Sequence, residues 1–294
     1  MARPVDRNPG GAPGDWFVDT RCIDCDASRQ LAPDLLDRVD GLTVFRRQPE
    51  TEDEIAAAWR AALVCPTLSI GNLAQRRPPA GVFPFDEGDG VFRCGFNARS
   101  SFGAHSYFVV RPEGNLLVDG PRWAHELVDA FAERGGLAHL LLTHRDDIGD
   151  AQRYAEHFGA RVWIHDADRV AAPFATDLLF GDAVFTIRPG LDAVPVPGHT
   201  RGSVMYLLDG DVLFTGDSLA WNPARDRLTA FRDVAWFSWE EQIRSLAKLA
   251  ATVRFRRVFA GHGWSHAGDA DALHDGLVAL VERASEGSER WGDW

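Results

Sequence analysis

Lysine is almost missing from this chain of 294 residues: Lys248 stands alone, and every other cationic side chain except histidine is an arginine. Positive charge is scarce overall, with 31 basic against 43 acidic residues and a net charge of −12. A surface of that sign repels phosphate backbones and anionic headgroups, so neither nucleic acid nor a membrane surface is expected as a partner. No apolar run approaches the length of a membrane span. Residues 1–15 hold proline, glycine and charge but no apolar stretch of the kind an export signal needs, and are expected to be a disordered tail. Cysteine is limited to four residues. Without an export signal these read as thiols or metal ligands rather than disulfides, and the expected compartment is the cytoplasm.

With 45% apolar residues the chain can bury a real core, as one large domain or one large and one small. Residues 72–90 break the pattern, because Arg76-Arg77-Pro78-Pro79 and Asp86-Glu87-Gly88-Asp89-Gly90 are too charged and too rich in proline and glycine to pack as an element. They read as a linker between a small domain at 16–71 and a larger one at 91–294. In the larger part, helical patterns at 124–134, 150–158, 240–251 and 271–282 alternate with short β-branched runs. A hairpin is expected where Tyr107 to Arg111 and Asn115 to Val118 flank Pro112-Glu113-Gly114. Interleaved strands and helices imply a layered α/β domain.

Four short segments of that domain carry chemistry: Thr143-His144-Arg145-Asp146-Asp147-Ile148-Gly149-Asp150, Pro197-Gly198-His199-Thr200, Phe214-Thr215-Gly216-Asp217 and Ala260-Gly261-His262-Gly263. Each follows an apolar run, so each polar residue emerges at the C-terminal end of a strand. Imidazoles and carboxylates released there onto loops can converge on Zn²⁺ or iron, which accept N and O donors. In this order, a His/Asp cluster, a Gly-His, a Gly-Asp and a final Gly-His, the chain resembles the metallo-β-lactamase superfamily, with Leu116-Leu117-Val118-Asp119-Gly120 similar to the end of its opening strands. The resemblance implies an αββα sandwich and a metallohydrolase.

The superfamily pattern H-x-H-x-D-H builds one metal site from its first two histidines and the Gly-His, and another from the Asp-His pair and the last Gly-His, with the Gly-Asp bridging them. The resemblance carries His144 onto the first position and His199, Asp217 and His262 onto the later ones. The middle departs, lacking two of the three histidines. Aligned from the left, Asp146 takes the second histidine's place, a carboxylate that suits Zn²⁺ and favours iron or manganese somewhat more. Aligned from the right, Asp150 and Ala151 fall on the Asp-His pair, making Asp150 a ligand or the catalytic base and leaving Ala151 unable to coordinate. Asp147 is the substitute ligand if the loop bends. The expectation is one tight metal at His144, Asp146, His199 and Asp217, with a weaker second site at Asp150, His262 and the shared Asp217. His105 is a further candidate to face the site.

The run from Cys22-Ile23-Asp24-Cys25 to Pro33 follows the bacterial ferredoxin spacing C-x₂-C-x₂-C-x₃-C-P, with Ser28 and Ala32 in place of the third and fourth cysteines. With the remote Cys65-Pro66, the segment resembles a small α+β ferredoxin-like domain that has lost ligands. A serine hydroxyl is a harder donor of far higher pKa, hence a poor substitute on cluster iron. Cys22, Cys25 and Cys65 remain as candidate ligands of an iron–sulfur cluster, either three-iron or completed by serine, or of zinc. The alternative is a domain that keeps its fold and binds nothing. An absent or incomplete cluster is the expectation. Cys94 lies outside the pattern and reads as a small buried hydrophobe.

The resemblance implies a hydrolase that uses a metal-bound hydroxide on an ester, thioester, lactone or phosphoester of a small molecule, with zinc as the metal and iron or manganese as alternatives. Trp221, Phe231, Trp236, Phe237 and Trp239, with Arg225, Arg227 and Arg232 among them, are either core packing or a lid over a partly apolar substrate carrying an anionic group. Two other readings stay open: an iron-dependent redox or electron-transfer protein, and a catalytically weak binding protein with an incomplete second metal site. The pattern specifies no oligomeric state.

Overall fold

The computed structural model describes residues 2–75 and 77–287. Its first unit runs β1 (Trp16–Val18), α1 (Ala27–Leu31), β2 (Leu36–Val39), β3 (Leu42–Phe45), α2 (Glu52–Val64) and β4 (Ile70–Asn72), with β1 antiparallel to β4 and β2 to β3. Helix α2 begins at a capping box in which Thr51 Oγ1 accepts from the Glu54 amide and the Glu54 carboxylate accepts from the Thr51 amide. It packs Ala58, Trp59 and Ala61 against Trp16, Leu35 and Phe45. Trp16 and Trp59 meet edge to face at 4.8 Å.

The expectation of a disordered tail at 1–15 is corrected for residues 2–15. The Arg3 amide donates to Asp19 Oδ2 (2.8 Å), Asn8 N to Val18 O (2.8 Å) and Ala12 N to Phe45 O (2.7 Å). The Arg7 guanidinium binds the Ala12 and Gly14 carbonyls. Poor apolar content forbids a core of its own but not docking, since the backbone groups find partners on β1 and β3.

The second unit places β5 (Phe85–Gly88), β6 (Val91–Arg93), β7 (Tyr107–Val109), β8 (Leu116–Val118), β9 (His139–Leu141), β10 (Arg161–His165) and β11 (Asp177–Leu179) in one sheet of order β11-β10-β9-β8-β7-β6-β5. The linker expected at 72–90 therefore ends earlier. Asp86 to Gly88 lie in β5 and Asp89-Gly90 turn into β6; Asp86 Oδ1 accepts from the Gly88 amide and Arg257 binds Asp89, so local charge and glycine serve a hairpin and not a spacer.

The second sheet holds β12 (Phe185–Arg188), β13 (Leu191–Pro195), β14 (Val204–Leu208), β15 (Val212–Gly216) and, after a small hairpin of β16 (Ala220–Asn222) and β17 (Arg227–Thr229), β18 (Arg257–Ala260) and β19 (His266–Ala267). Period-two alternation sorts the side chains. Tyr107, Val109, Leu116, Val118 and Leu141 face Tyr206, Leu208, Phe214 and Phe259 between the sheets. Phe108, Leu117 and Leu140 point the other way onto α3 (His125–Glu133) and α4 (Ala151–Phe158), while Val194, Met205, Leu213 and Val258 lie under α5 (Trp239–Thr252) and α6 (Ala270–Ser285). Both faces of each sheet are covered, which explains the unbroken apolar runs and makes the αββα sandwich. Truncating a fully buried member such as Leu117 to alanine would cost about 2–5 kcal/mol. No helix among the described residues is long and apolar enough to cross a membrane.

Candidate metal centre

The loops after β9, β13, β15 and β18 open at the same edge of the sandwich, and they bring His144, Asp146, Asp147, His199, Asp217 and His262 together. Asp217 Oδ2 is the hub, lying 3.7 Å from His144 Nε2, 3.6 Å from His199 Nε2 and 3.8 Å from His262 Nε2. Asp146 Oδ2 lies 3.3 Å from His199 Nε2, and Asp147 Oδ2 3.9 Å from His144 Nε2. Donor atoms about 2 Å from one tetrahedral ion stand roughly 3.3 Å apart, so this spacing is close to what ligands sharing an ion require.

The burial of the set agrees. His144 Nε2, His199 Nε2, both Asp147 oxygens and Asp217 Oδ1 are buried and have no hydrogen-bond partner among the described residues. Native proteins rarely leave such atoms unmatched. A Cβ on Gly261 would stand 2.8 Å from Asp217 Oδ1 and 3.0 Å from Asp147 Oδ2, so glycine keeps the space between the carboxylates clear. A buried N and O donor set of this kind fits a divalent ion such as Zn²⁺, Fe²⁺ or Mn²⁺.

The imidazoles are pre-oriented. His199 Nδ1 is 2.6 Å from the Val234 carbonyl, which can only accept, so Nδ1 carries the proton and Nε2 presents its lone pair. Thr143 Oγ1 donates to the Asp119 carboxylate (2.8 Å) and lies 3.0 Å from His144 Nδ1, so its remaining lone pair accepts from that nitrogen and again frees Nε2. Burial lowers the His144 pKa to about 4, leaving the ring neutral at pH 7. Burial opposes ionisation of Asp217, but His262, His144 and His199 outweigh it and hold the carboxyl below the ordinary value. Asp147 has no such company: burial, then Asp217 and Asp119, push it well above the carboxylate range. A cation placed among these oxygens reverses that cost.

The assignment of Asp150 is corrected. It is exposed at the start of α4, where its Oδ2 accepts from the Trp123 amide (2.7 Å), and it lines a different surface depression from the His199 and Asp217 pocket. Its place is taken by Asp147. Ala151 does not face His262 but is fully buried beside Phe131 and Tyr154 in the core beneath α4. His105 is buried away from the cluster, bonded to Gln30 and Asn97.

Residues that sequence reasoning passed over hold the frame. Asp168 accepts from Arg145 N (3.1 Å), Thr200 Oγ1 (2.5 Å) and Gly202 N (3.3 Å), tying the two histidine loops together. Asp119 accepts from Thr143 N, and Gln242 Oε1 from His199 N, each at 2.8 Å. Asp119 had a signal at the end of Leu116-Leu117-Val118, whereas Asp168 and Gln242 sit in ordinary helical contexts and had none.

Above the cluster lies a pocket of about 450 Å³ whose walls add Ser101, Phe102, Phe231, Val234 and Trp236 to the polar set. The aromatic stretch thus divides: Phe231 is buried, while Trp236 is 61% exposed at the mouth. In the first unit, Cys22, Cys25 and Cys65 line a small cavity with Ser28, and all are free thiols. Ser28 spends its hydroxyl on the Ala61 carbonyl (2.9 Å). Burial, with Cys65 and Cys22 adding to it, pushes the Cys25 thiol up to about 12. Cys94 is wholly buried in the apolar core.

Fold and cluster together define an αββα protein with a candidate metal centre at its strand ends. The metallo-β-lactamase superfamily model matches residues 89–281. The chain belongs to that superfamily and is an enzyme of its hydrolase kind. It is 30% identical over 184 residues to the hydroxyacylglutathione hydrolase of Xanthomonas campestris pv. campestris (strain B100), covering 60% of this chain and 68% of that one. With the hydroxyacylglutathione hydrolase of Fuscovulum blasticum it shares 34% over 180 residues, 59% of this chain and 68% of the relative. The DIM-1 metallo-β-lactamase has the same fold, with a TM-score of 0.54 at 18% identity over 68% of this chain and 96% of that one. A metallo-β-lactamase from Hirschia baltica gives 0.50 at 16% over 67% and 96%. Residues 18–72 match a model described as the 4Fe-4S single cluster domain of Ferredoxin I.

Proposed function

We propose that this protein hydrolyses a thioester or ester of a small, partly apolar acyl compound, with Zn²⁺ held by His144, Asp146 and His199 and a second ion by Asp147 and His262, Asp217 lying between them. The observation that carries the reading is the set of buried, unpartnered nitrogen and oxygen atoms converging on Asp217 beneath an open pocket. A bound divalent ion supplies Lewis acidity toward a carbonyl oxygen and acidifies water. The chain's own part is positioning. Val234 and Thr143 fix the imidazole tautomers, and Phe102, Phe231 and Trp236 exclude water from an acyl chain. Asp146 is 44% exposed at the pocket mouth, where solvent reaches it, while Asp147 and Asp217 are buried. The names of the two hydrolase relatives favour a thioester over a phosphoester.

The first unit supports a companion reading as a ferredoxin-like domain whose Cys22, Cys25 and Cys65 offer three sulfurs around one cavity. The test is metal analysis of anaerobically purified protein beside turnover on a hydroxyacylglutathione, an acyl lactone and a phosphodiester. Thioester or ester cleavage that His199→Ala abolishes together with the metal is expected. Iron at the histidine cluster with no hydrolysis would instead favour redox chemistry.

A further inference from the structure

The thiol cavity and the histidine cluster touch the same loop. Gly103, at φ +90°, sits where a Cβ would be 3.0 Å from Cys25 Sγ and equally close to Pro66. Its neighbour Phe102 places its ring 6.1 Å from the His262 imidazole and lines the metal pocket. A buried strut braces the loop between the two domains. Asn97 Nδ2 donates to Gly103 O (2.6 Å) and lies 3.2 Å from His105 Nδ1, which must therefore accept. His105 Nε2–H then donates to Gln30 Oε1 (2.9 Å) on α1, five residues beyond Cys25, while the His105 amide donates to Gly261 O (2.8 Å), beside His262. Cys25 and His262 also line one cleft of about 330 Å³ between the domains.

The three sulfurs line one small cavity. Cys22 Sγ accepts from the Asp24 and Thr43 amides, each at 3.4 Å, and Cys65 Sγ from the Ser69 amide at 3.3 Å, contacts of the kind that tune sulfur ligands. With the Ser28 hydroxyl bonded to Ala61 O, the cavity offers three sulfurs and no free hydroxyl from Ser28.

We propose that Cys22, Cys25 and Cys65 form a control site for a thiophilic metal group, whose occupancy sets the 97–105 loop and, through it, His262 and Phe102. The coupling to turnover rests on the hydrolase reading, whereas the coupling to loop order and to metal affinity does not. Reciprocity requires that thiol loading change zinc affinity at the histidine cluster by the factor by which zinc changes thiol loading.

The test uses the full chain, anaerobic, with zinc at the histidine cluster. The thiols are loaded in one arm with ferrous iron and sulfide and in another with Cd²⁺, followed by thiolate-to-metal absorption and by analysis of retained zinc. Loading should slow amide exchange across 97–105 by about tenfold and shift zinc affinity about fivefold or more, within the usual range of coupling. Loading by iron and sulfide alone marks a cluster and by Cd²⁺ alone a mononuclear ion, and either supports the proposal. Gln30→Met, which keeps volume and loses the strut, should load normally but shift zinc affinity less than about twofold. Gly103→Ala, pressing on Cys25, should weaken loading at least about tenfold. The proposal is overturned if neither arm loads, if Cys25→Ser loads like wild type, or if loading leaves both exchange and zinc affinity unchanged. Coupling without any turnover would count against the hydrolase reading alone.

Discussion

Replacing Asp147 by asparagine should make the metal-free protein more stable and the metal-bound protein weaker. In the metal-free state both Asp147 oxygens are buried without a hydrogen-bond partner, and burial and Asp217 push its carboxyl upward. A buried unsatisfied polar group costs about 1–3 kcal/mol, more if charged; asparagine still buries an unpartnered amide but never a charge, so it recovers only the charge-related part, about 1 kcal/mol. For a protein of this size each kcal/mol moves Tm by about 2–4 °C, giving a rise of that size without metal. Metal reverses the order. Changes outside the coordination shell already cost 10–100-fold in affinity, so loss of a coordinating carboxylate should cost at least about 100-fold. At a zinc concentration near 1,000 times the wild-type Kd, binding contributes about 4 kcal/mol to wild type but only about 1.4 kcal/mol to the variant. Differential scanning fluorimetry with and without zinc measures both effects. Asp150→Asn is the control, since its carboxylate only caps the exposed Trp123 amide and should leave the zinc response intact. The reasoning fails if Asp147→Asn keeps the full zinc-induced shift while Asp150→Asn loses it.

Three further outcomes follow from the same geometry. Gly261→Ala puts a methyl 2.8 Å from Asp217 Oδ1, so zinc affinity by calorimetry should drop at least about tenfold in a folded protein, and an unchanged affinity would show that the carboxylates have room. Burial lowers the His144 pKa from 6.5 to about 4, so the metal-free protein should lose stability as pH falls through that window, by about 3 kcal/mol. Urea midpoints should track this loss in wild type and flatten in His144→Gln, and equal slopes would refute the assignment. Ala151→His overpacks the core under α4 and should cost about 1–3 kcal/mol without raising metal stoichiometry; a second tightly held metal in that variant would restore the alignment that the structure overturns.

The sequence by itself determined the sandwich and the strand ends that carry chemistry, because both are local signals. Apolar runs such as Leu140 to Leu142 fix a strand covered on both faces, and the first polar residue after it has nowhere to go but the edge. His144, His199, Asp217 and His262 were legible for that reason. Only the tertiary structure set Asp146 and Asp147 in the cluster and Asp150 outside it. The choice is made by a chain segment far away: Gly120 packs so closely on Ile148 and Gly149 that a Cβ on it would meet the Ile148 carbonyl at 1.9 Å, and its amide donates to Asp147 O. That contact bends the loop, sending the Asp147 side chain into the cluster while Asp150 leaves on the first turn of α4. The distant groups that hold the histidine loops and the His199 ring were illegible for the same reason. Val234, Asp168 and Gln242 act across 23 to 43 positions of sequence, and a carbonyl or carboxylate acquires that role only when folding brings it to an imidazole or to the amides of its loop.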